Sequence, residues 1–143
     1  MERDPESKRG GYSTNSYIAT LEQGLLPIHP EGMTFQQDGA SIHTSRKAMA
    51  WFADHRIELL KWPPYSPDLN PIEHMWWHLK RAVYDVNPQF DQITGPKAQH
   101  DALVEVLPQA WAKISDQTLG NILESMPRRI QAVLAADGWQ TKY

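Results

Sequence analysis

The chain of 143 residues contains no cysteine, which excludes a disulfide scaffold, a thiolate zinc site and a cysteine nucleophile together. No apolar run approaches the roughly 18–20 residues that cross a membrane. The amino terminus, Met1-Glu2-Arg3-Asp4-Pro5-Glu6-Ser7-Lys8-Arg9, is charged and has no apolar stretch of the kind a secretory signal needs. The expectation is an intracellular protein with no membrane partner. A basic excess is missing as well: 14 Lys and Arg stand against 17 Asp and Glu, for a net charge of −3. That balance lacks the electrostatic footprint of a free-standing nucleic-acid clamp, so any contact with DNA has to be local. Internal repeats and low-complexity tracts are absent. What remains is 41% hydrophobic and 22% charged, the composition of an ordinary globular domain. A chain of this size buries about two-thirds of its unfolded surface. Six tryptophans and eleven prolines stand out and need placing.

Residues 1–13 are polar, carry both charge signs and end near Gly10-Gly11, which reads as a flexible leader; 14–143 read as the domain. Thr14 caps a short helix carrying Tyr17, Ile18, Leu21 and Leu25 at spacings of three and four, closed by Gly24 and Pro27. The glycine-bounded run at 33–38 is a strand ending at Asp38. Thr44 or Ser45 opens a helix with Ala48, Met49, Trp51 and Phe52 inward, and Ile57 to Trp62 is a second strand. Strand, helix and strand make a β-α-β unit, which closes with a right-handed crossover and parallel strands, and gathers ligands at the carboxyl ends of those strands.

The segment Trp62-Pro63-Pro64-Tyr65-Ser66-Pro67-Asp68-Leu69-Asn70-Pro71 has four prolines in ten residues, too many for regular structure. It is a rigid connector, although Pro64-Tyr65-Ser66-Pro67 also satisfies PxxP. Asn70 before Pro71 is a side-chain cap followed by a residue pre-set for the first helical position. The helix it starts runs to about residue 84, with Ile72, Met75, Trp76, Leu79 and Val83 as its core stripe. Beyond a polar break at 87–97 lie three helical stretches: 98–107 interrupted by Pro108, 116–126 capped by Ser115, and 127–136 from Pro127 to a stop near Gly138.

Two acids draw attention, Asp38 at a strand end and Glu73 in the first turn of a helix. Carboxylates on rigid elements suit Mg²⁺, which takes oxygen ligands and bridges them to phosphate. The same residues also suit structural work, Asp38 as a turn residue and Glu73 as part of a capping box that favours the helix dipole. His74 and His78 are spaced to reach one metal, but they point away from the core stripe and are expected to face solvent. Neither HExxH nor its inversion is present, so a zinc protease is unsupported. Trp51, Trp76 and Trp111 belong on apolar stripes rather than on base-stacking surfaces, and Trp77 is open. Lys80 and Arg81 complement the end of their helix or touch phosphate.

Phe35-Gln36-Gln37-Asp38-Gly39-Ala40-Ser41-Ile42-His43-Thr44-Ser45 and the run from Trp62 through Pro71-Ile72-Glu73-His74-Met75-Trp76 resemble the DDE domain of mariner-type (Tc/mariner) transposases. The resemblance extends from about Gly11 to Thr141-Lys142-Tyr143 and includes Ser125-Met126-Pro127-Arg128-Arg129 and Gly138. It implies an α/β, partial RNase H-like fold, namely a β-α-β unit plus a catalytic helix, with an α-helical carboxyl-terminal extension. It also implies cleavage and transfer of DNA strands with Mg²⁺ or Mn²⁺, with Asp38 and Glu73 as catalytic metal ligands separated by 34 residues. DNA, both transposon ends and target, is the implied partner, with a homo-oligomer as a further option; the implied location is the nucleus in a eukaryote and the cytoplasm otherwise. His43, usual in that motif, orders the site or caps the next helix.

The family's first catalytic Asp lies on an opening strand many tens of residues before the second, whereas thirty-seven residues precede Asp38, with Asp4 the one Asp among them. Asp4 sits in a charged leader and is not assigned that role. The chain is expected to match the carboxyl-terminal portion of a DDE domain, with little activity alone and with an exposed edge on the strand at 33–38. The rival expectation is a non-catalytic, transposon-derived module that binds DNA or protein.

Overall fold

The computed structural model describes residues 1, 3–7, 11–64, 66–139 and 141–143. Gly10 of the expected leader and Tyr65 of the PxxP run lie outside them. The chain is mostly helical with one small sheet, and it divides into two compact units, Met1–Tyr65 and Ser66–Tyr143.

In the first unit, helix α1 covers Thr14–Thr20 and continues as a single wider π-type turn over Leu21–Leu25. Its cap is Ser13, one residue before the expected Thr14: the Ser13 hydroxyl accepts from the Asn15 and Ser16 amides, and Ser16 Oγ accepts from the Ser13 amide, a closed capping box. Strand β1 is Thr34–Phe35, helix α2 is Arg46–Asp54 capped by Ser45, and strand β2 is Glu58–Leu59. The two strands are parallel, with Thr34 opposite Glu58 and Phe35 opposite Leu59. The β-α-β unit is therefore present, but both strands are shorter than their sequence spans. Asp38 lies three residues beyond the end of β1, where its side chain accepts from the Ala40 amide and favours a turn over a sheet ladder. Prolines 63 and 64 follow β2 closely and cannot donate to a ladder.

The core of this unit joins Tyr17, Leu21, Ala48, Trp51, Phe52 and Ile57, with Phe35, Ile42 and Leu59 packed against it. Phe52 stacks on Phe35 at 5.7 Å and meets Trp51 edge-on at 5.1 Å between ring centroids. Such pairs add about 0.5–1.5 kcal/mol beyond area burial. Met49, expected inward, is exposed: the buried line of α2 runs through Ala48, Trp51 and Phe52, and Met49 falls on its flank.

The second unit opens with a 3₁₀ turn at Pro67–Leu69 and then helix α3, Pro71–Val86, capped by the Asn70 side chain through the Ile72 amide at 3.3 Å. Helices α4, Pro96–Ala112, α5, Asp116–Glu124, and α6, Met126–Ala135, follow. α4 packs along α3 through Leu79, Ala82, Val83, Val106 and Ala110. α4 runs through Pro108 without the expected interruption. The carbonyl that Pro108 cannot serve belongs to Val104, which is 58% exposed, so water can take its place. Trp76 and Trp111, expected in the core, are 51% and 49% exposed. Each sits beside its stripe: Met75 and Ala110, their immediate neighbours, hold the buried positions, and the small Ala110 allows close helix approach. Gly138, at φ 83°, stands just past α6 in the left-handed conformation that ends helices cheaply at glycine. Among the described residues no helix is long and apolar enough to cross a membrane.

Candidate active site

Asp38 stands in the loop between β1 and α2, with its side chain 59% exposed. Its Oδ1 accepts from the Ala40 amide at 3.1 Å and lies 2.6 Å from Nδ1 of His43. A carboxylate can only accept, so Nδ1 of His43 carries the proton in this contact. The Ala40 amide, and after it His43, hold the Asp38 carboxyl below the usual aspartate range against a smaller opposing effect of burial. His43 is itself fixed: its ring lies 4.2 Å from that of Tyr17, and Gln37 Nε2 donates to its carbonyl at 3.3 Å. The Tyr17 hydroxyl donates to Gln37 Oε1 at 2.5 Å. Burial, with the charge of Asp38 second, pushes the Tyr17 phenol up to about 12, so it stays a neutral donor. The structure thus gives His43 the ordering contact rather than a helix cap, which Ser45 supplies. Tyr17 and Gln37 were not singled out by sequence as site residues; their role arises from contacts twenty residues apart.

Glu73 is exposed in the first turn of α3, where the positive end of the helix favours a carboxylate. The segment leading to it is anchored from a distance. Asp68 is 7% exposed; its Oδ1 accepts from the Leu69 amide at 3.1 Å and its Oδ2 from the Thr141 hydroxyl at 3.0 Å. Arg129 of α6 is only 2% exposed, donates from Nε to Ser125 Oγ at 2.7 Å and from Nη1 to the Asp68 carbonyl at 3.4 Å, and lies 5.7 Å from the Tyr143 ring. Ser125 Oγ in turn donates to the Ile122 carbonyl at 2.6 Å. The chain's last residues and α6 therefore grip the turn that sets the start of α3. Asp68, Arg129 and Thr141 escape a local reading because their partners lie 61 and 73 residues apart.

His74 and His78, expected to face solvent, are half-buried, since α5 packs on that side of α3. Burial first, then the positive charge of Arg129, pulls His74 below the usual histidine value. Asp4 is engaged structurally: its carboxylate accepts from the Ser13 hydroxyl and the Glu6 amide, which holds its pKa down. Trp77 is 59% exposed with the Arg81 guanidinium 5.9 Å from its ring centre. Within each unit, among the described residues, no three His, Asp or Glu side chains are grouped to hold a metal. Asp38 and Glu73 belong to different units.

A family model described as DDE superfamily endonuclease matches residues 5–94, more than half of the chain. The chain belongs to that family. Over 130 residues, 90% of its length, it is 38% identical to the transposable element Tc1 transposase of Caenorhabditis elegans, covering 44% of that protein. It is 42% identical over 114 residues to the Tcb2 transposase of Caenorhabditis briggsae, and 36% identical over 123 residues to the Tc3 transposase of Caenorhabditis elegans, covering 37% and 35% of those proteins. The chain thus spans less than half the length of the curated relatives it matches.

Proposed function

We propose that this chain carries part of the catalytic domain of a DNA transposase of RNase H-like fold, to which its β1-α2-β2 unit belongs. Asp38 and Glu73 supply two of the carboxylates of a DDE centre that acts on transposon ends and target DNA. The observation that carries the reading is the state of Asp38, an exposed carboxylate kept ionised by the Ala40 amide and His43 within a chain matched to this family. The donor set fits a hard divalent cation: carboxylate oxygens suit Mg²⁺ or Mn²⁺, and the chain has no cysteine to offer a thiolate.

Each residue has a defined task. His43 holds one oxygen of Asp38 and fixes the plane of its carboxylate. Asn70 and the Asp68 anchor fix the first turn of α3, so that Glu73 is presented from a rigid helix end rather than a loop. Asp38 and Glu73 are the residues that would hold a divalent cation, which would supply charge neutralisation at the phosphate and a more acidic attacking oxygen. In each step that oxygen, from water or a 3′-hydroxyl, forms a bond to phosphorus as the bond to the departing oxygen breaks.

The test is a chimera in which this chain replaces the matching segment of the Tc1 transposase. Element excision with Mg²⁺ is expected to persist, and Asp38→Asn or Glu73→Gln is expected to lower it about a thousand-fold or more, the scale of the several kcal/mol that metal assistance supplies. A chimera that excises equally well with either substitution contradicts the assignment. A chimera that binds DNA yet never cleaves favours a non-catalytic binding module.

A further inference from the structure

The second unit holds a hollow of about 250 Å³ between α3, α5, α6 and the chain's last residue, lined among others by His74, His78, Thr118, Asn121, Arg129 and Tyr143. We propose that it binds a phosphate-type anion, and that the anion is a backbone phosphodiester of DNA. The choice of DNA as the source rests on the function proposed above; the anion chemistry does not.

The argument begins with Arg129, whose side chain is almost fully buried. A buried charge ordinarily has a counter-charge. Among the described residues no carboxylate stands within salt-bridge distance of this guanidinium. Its internal bonds go to a hydroxyl, Ser125 Oγ, and to the Asp68 carbonyl, and the second is long at 3.4 Å. The Asp68 carboxylate, the nearest candidate for a partner, is committed to the Thr141 hydroxyl and the Leu69 amide instead. Arg129 therefore carries positive charge to the wall of the hollow with no acid in direct contact; Tyr143 and Asp68 act on it only from farther away.

The rest of the lining suits the same ligand. Two imidazoles, three hydroxyls and an amide surround the guanidinium, and no Asp or Glu side chain lines the hollow among the described residues. Arginine's planar fork matches phosphate oxygens bidentately, and hydroxyl, amide and imidazole groups can each donate to the remaining oxygens. One formal positive charge matches one phosphodiester. The hollow is floored by the helix whose first turn carries Glu73, so a strand held there would be held beside that helix.

The experiment is a titration of the full chain with inorganic phosphate at constant ionic strength, followed by NMR, with chloride as the control. Phosphate is expected to shift the resonances of Thr118, Asn121 and the His78 ring beyond the chloride effect, and Asn121→Asp, which places a negative charge in the lining, is expected to abolish those shifts. Arg129→Gln is expected to do the same where it folds; Asn121→Asp, at an exposed helical position, keeps the test open if it does not. A short DNA duplex is expected to shift the same resonances and to compete with phosphate. Phosphate binding that the duplex does not affect supports an anion site but overturns DNA as its source. Shifts no larger than those with chloride, or unchanged by Asn121→Asp, overturn the site itself, and neither result depends on whether the chain cleaves DNA.

Discussion

Nδ1 of His43 lies 2.6 Å from Oδ1 of Asp38, across a loop of five residues that also turns the Ala40 amide onto the same oxygen. The pair fixes the carboxylate while leaving it exposed to solvent. That differs from Asp4 and Asp68, whose carboxylates accept from the hydroxyls of Ser13 and Thr141 and tie segments of chain together.

The Asp38 carboxyl is expected to titrate below the usual aspartate value of about 3.9, because the Ala40 amide and His43 favour its charged form. The folded pKa lies below the unfolded one, so the stability it contributes is complete above the unfolded value and is lost as pH falls through the folded value. His43→Ala removes the second cause and keeps the first, so the midpoint should rise part of the way toward the ordinary value. Carboxyl carbon NMR reads it directly; an unchanged midpoint contradicts the contact.

Thr141 and Asp68 should be energetically coupled. Their hydrogen bond is part-buried, and breaking it by Thr141→Val leaves an acceptor of the buried Asp68 without its partner, at a cost of about 1–3 kcal/mol. In a double-mutant cycle with Asp68→Ala, measured by denaturant unfolding, the two losses should add to less than their sum. Full additivity would mean that the tail does not hold the turn before α3.

Pro108→Ala should stabilise the protein. Alanine restores the missing amide in α4 and removes the ring's clash with the preceding turn, a difference of up to about 3 kcal/mol in a helix interior. A higher denaturation midpoint with an unchanged denaturant slope is the expected result.

Helix positions were legible wherever a cap and a stripe coincided. Asn70-Pro71 and Ser115 mark the starts of α3 and α5, and the parallel β-α-β unit follows from glycine-bounded and β-rich runs. What the periodicity left open was how wide a face each partner covers. Met49, Trp76 and Trp111 lie next to buried neighbours and remain exposed, because a stripe fixes the direction of burial and tertiary contact fixes its extent. Both strands proved shorter than their runs: the Asp38 side chain takes a local bond after β1, and Pro63 and Pro64 follow β2. At the candidate site, Asp38, Glu73 and His43 could be named from motif and spacing. Tyr17, Gln37, Asp68, Arg129 and Thr141 could not, since each works through a partner distant in sequence and no local pattern announces a hydrogen bond between them.

The most direct test of the central claim is the response of the full chain to Mn²⁺, whose paramagnetism broadens the NMR signals of nearby nuclei. If Asp38 and Glu73 serve one metal centre, the amides around residues 37–40 and 71–74 should broaden together, and Asp38→Asn or Glu73→Gln should each weaken the broadening at both places. Broadening centred elsewhere, for example near Asp101, and untouched by either substitution would contradict it.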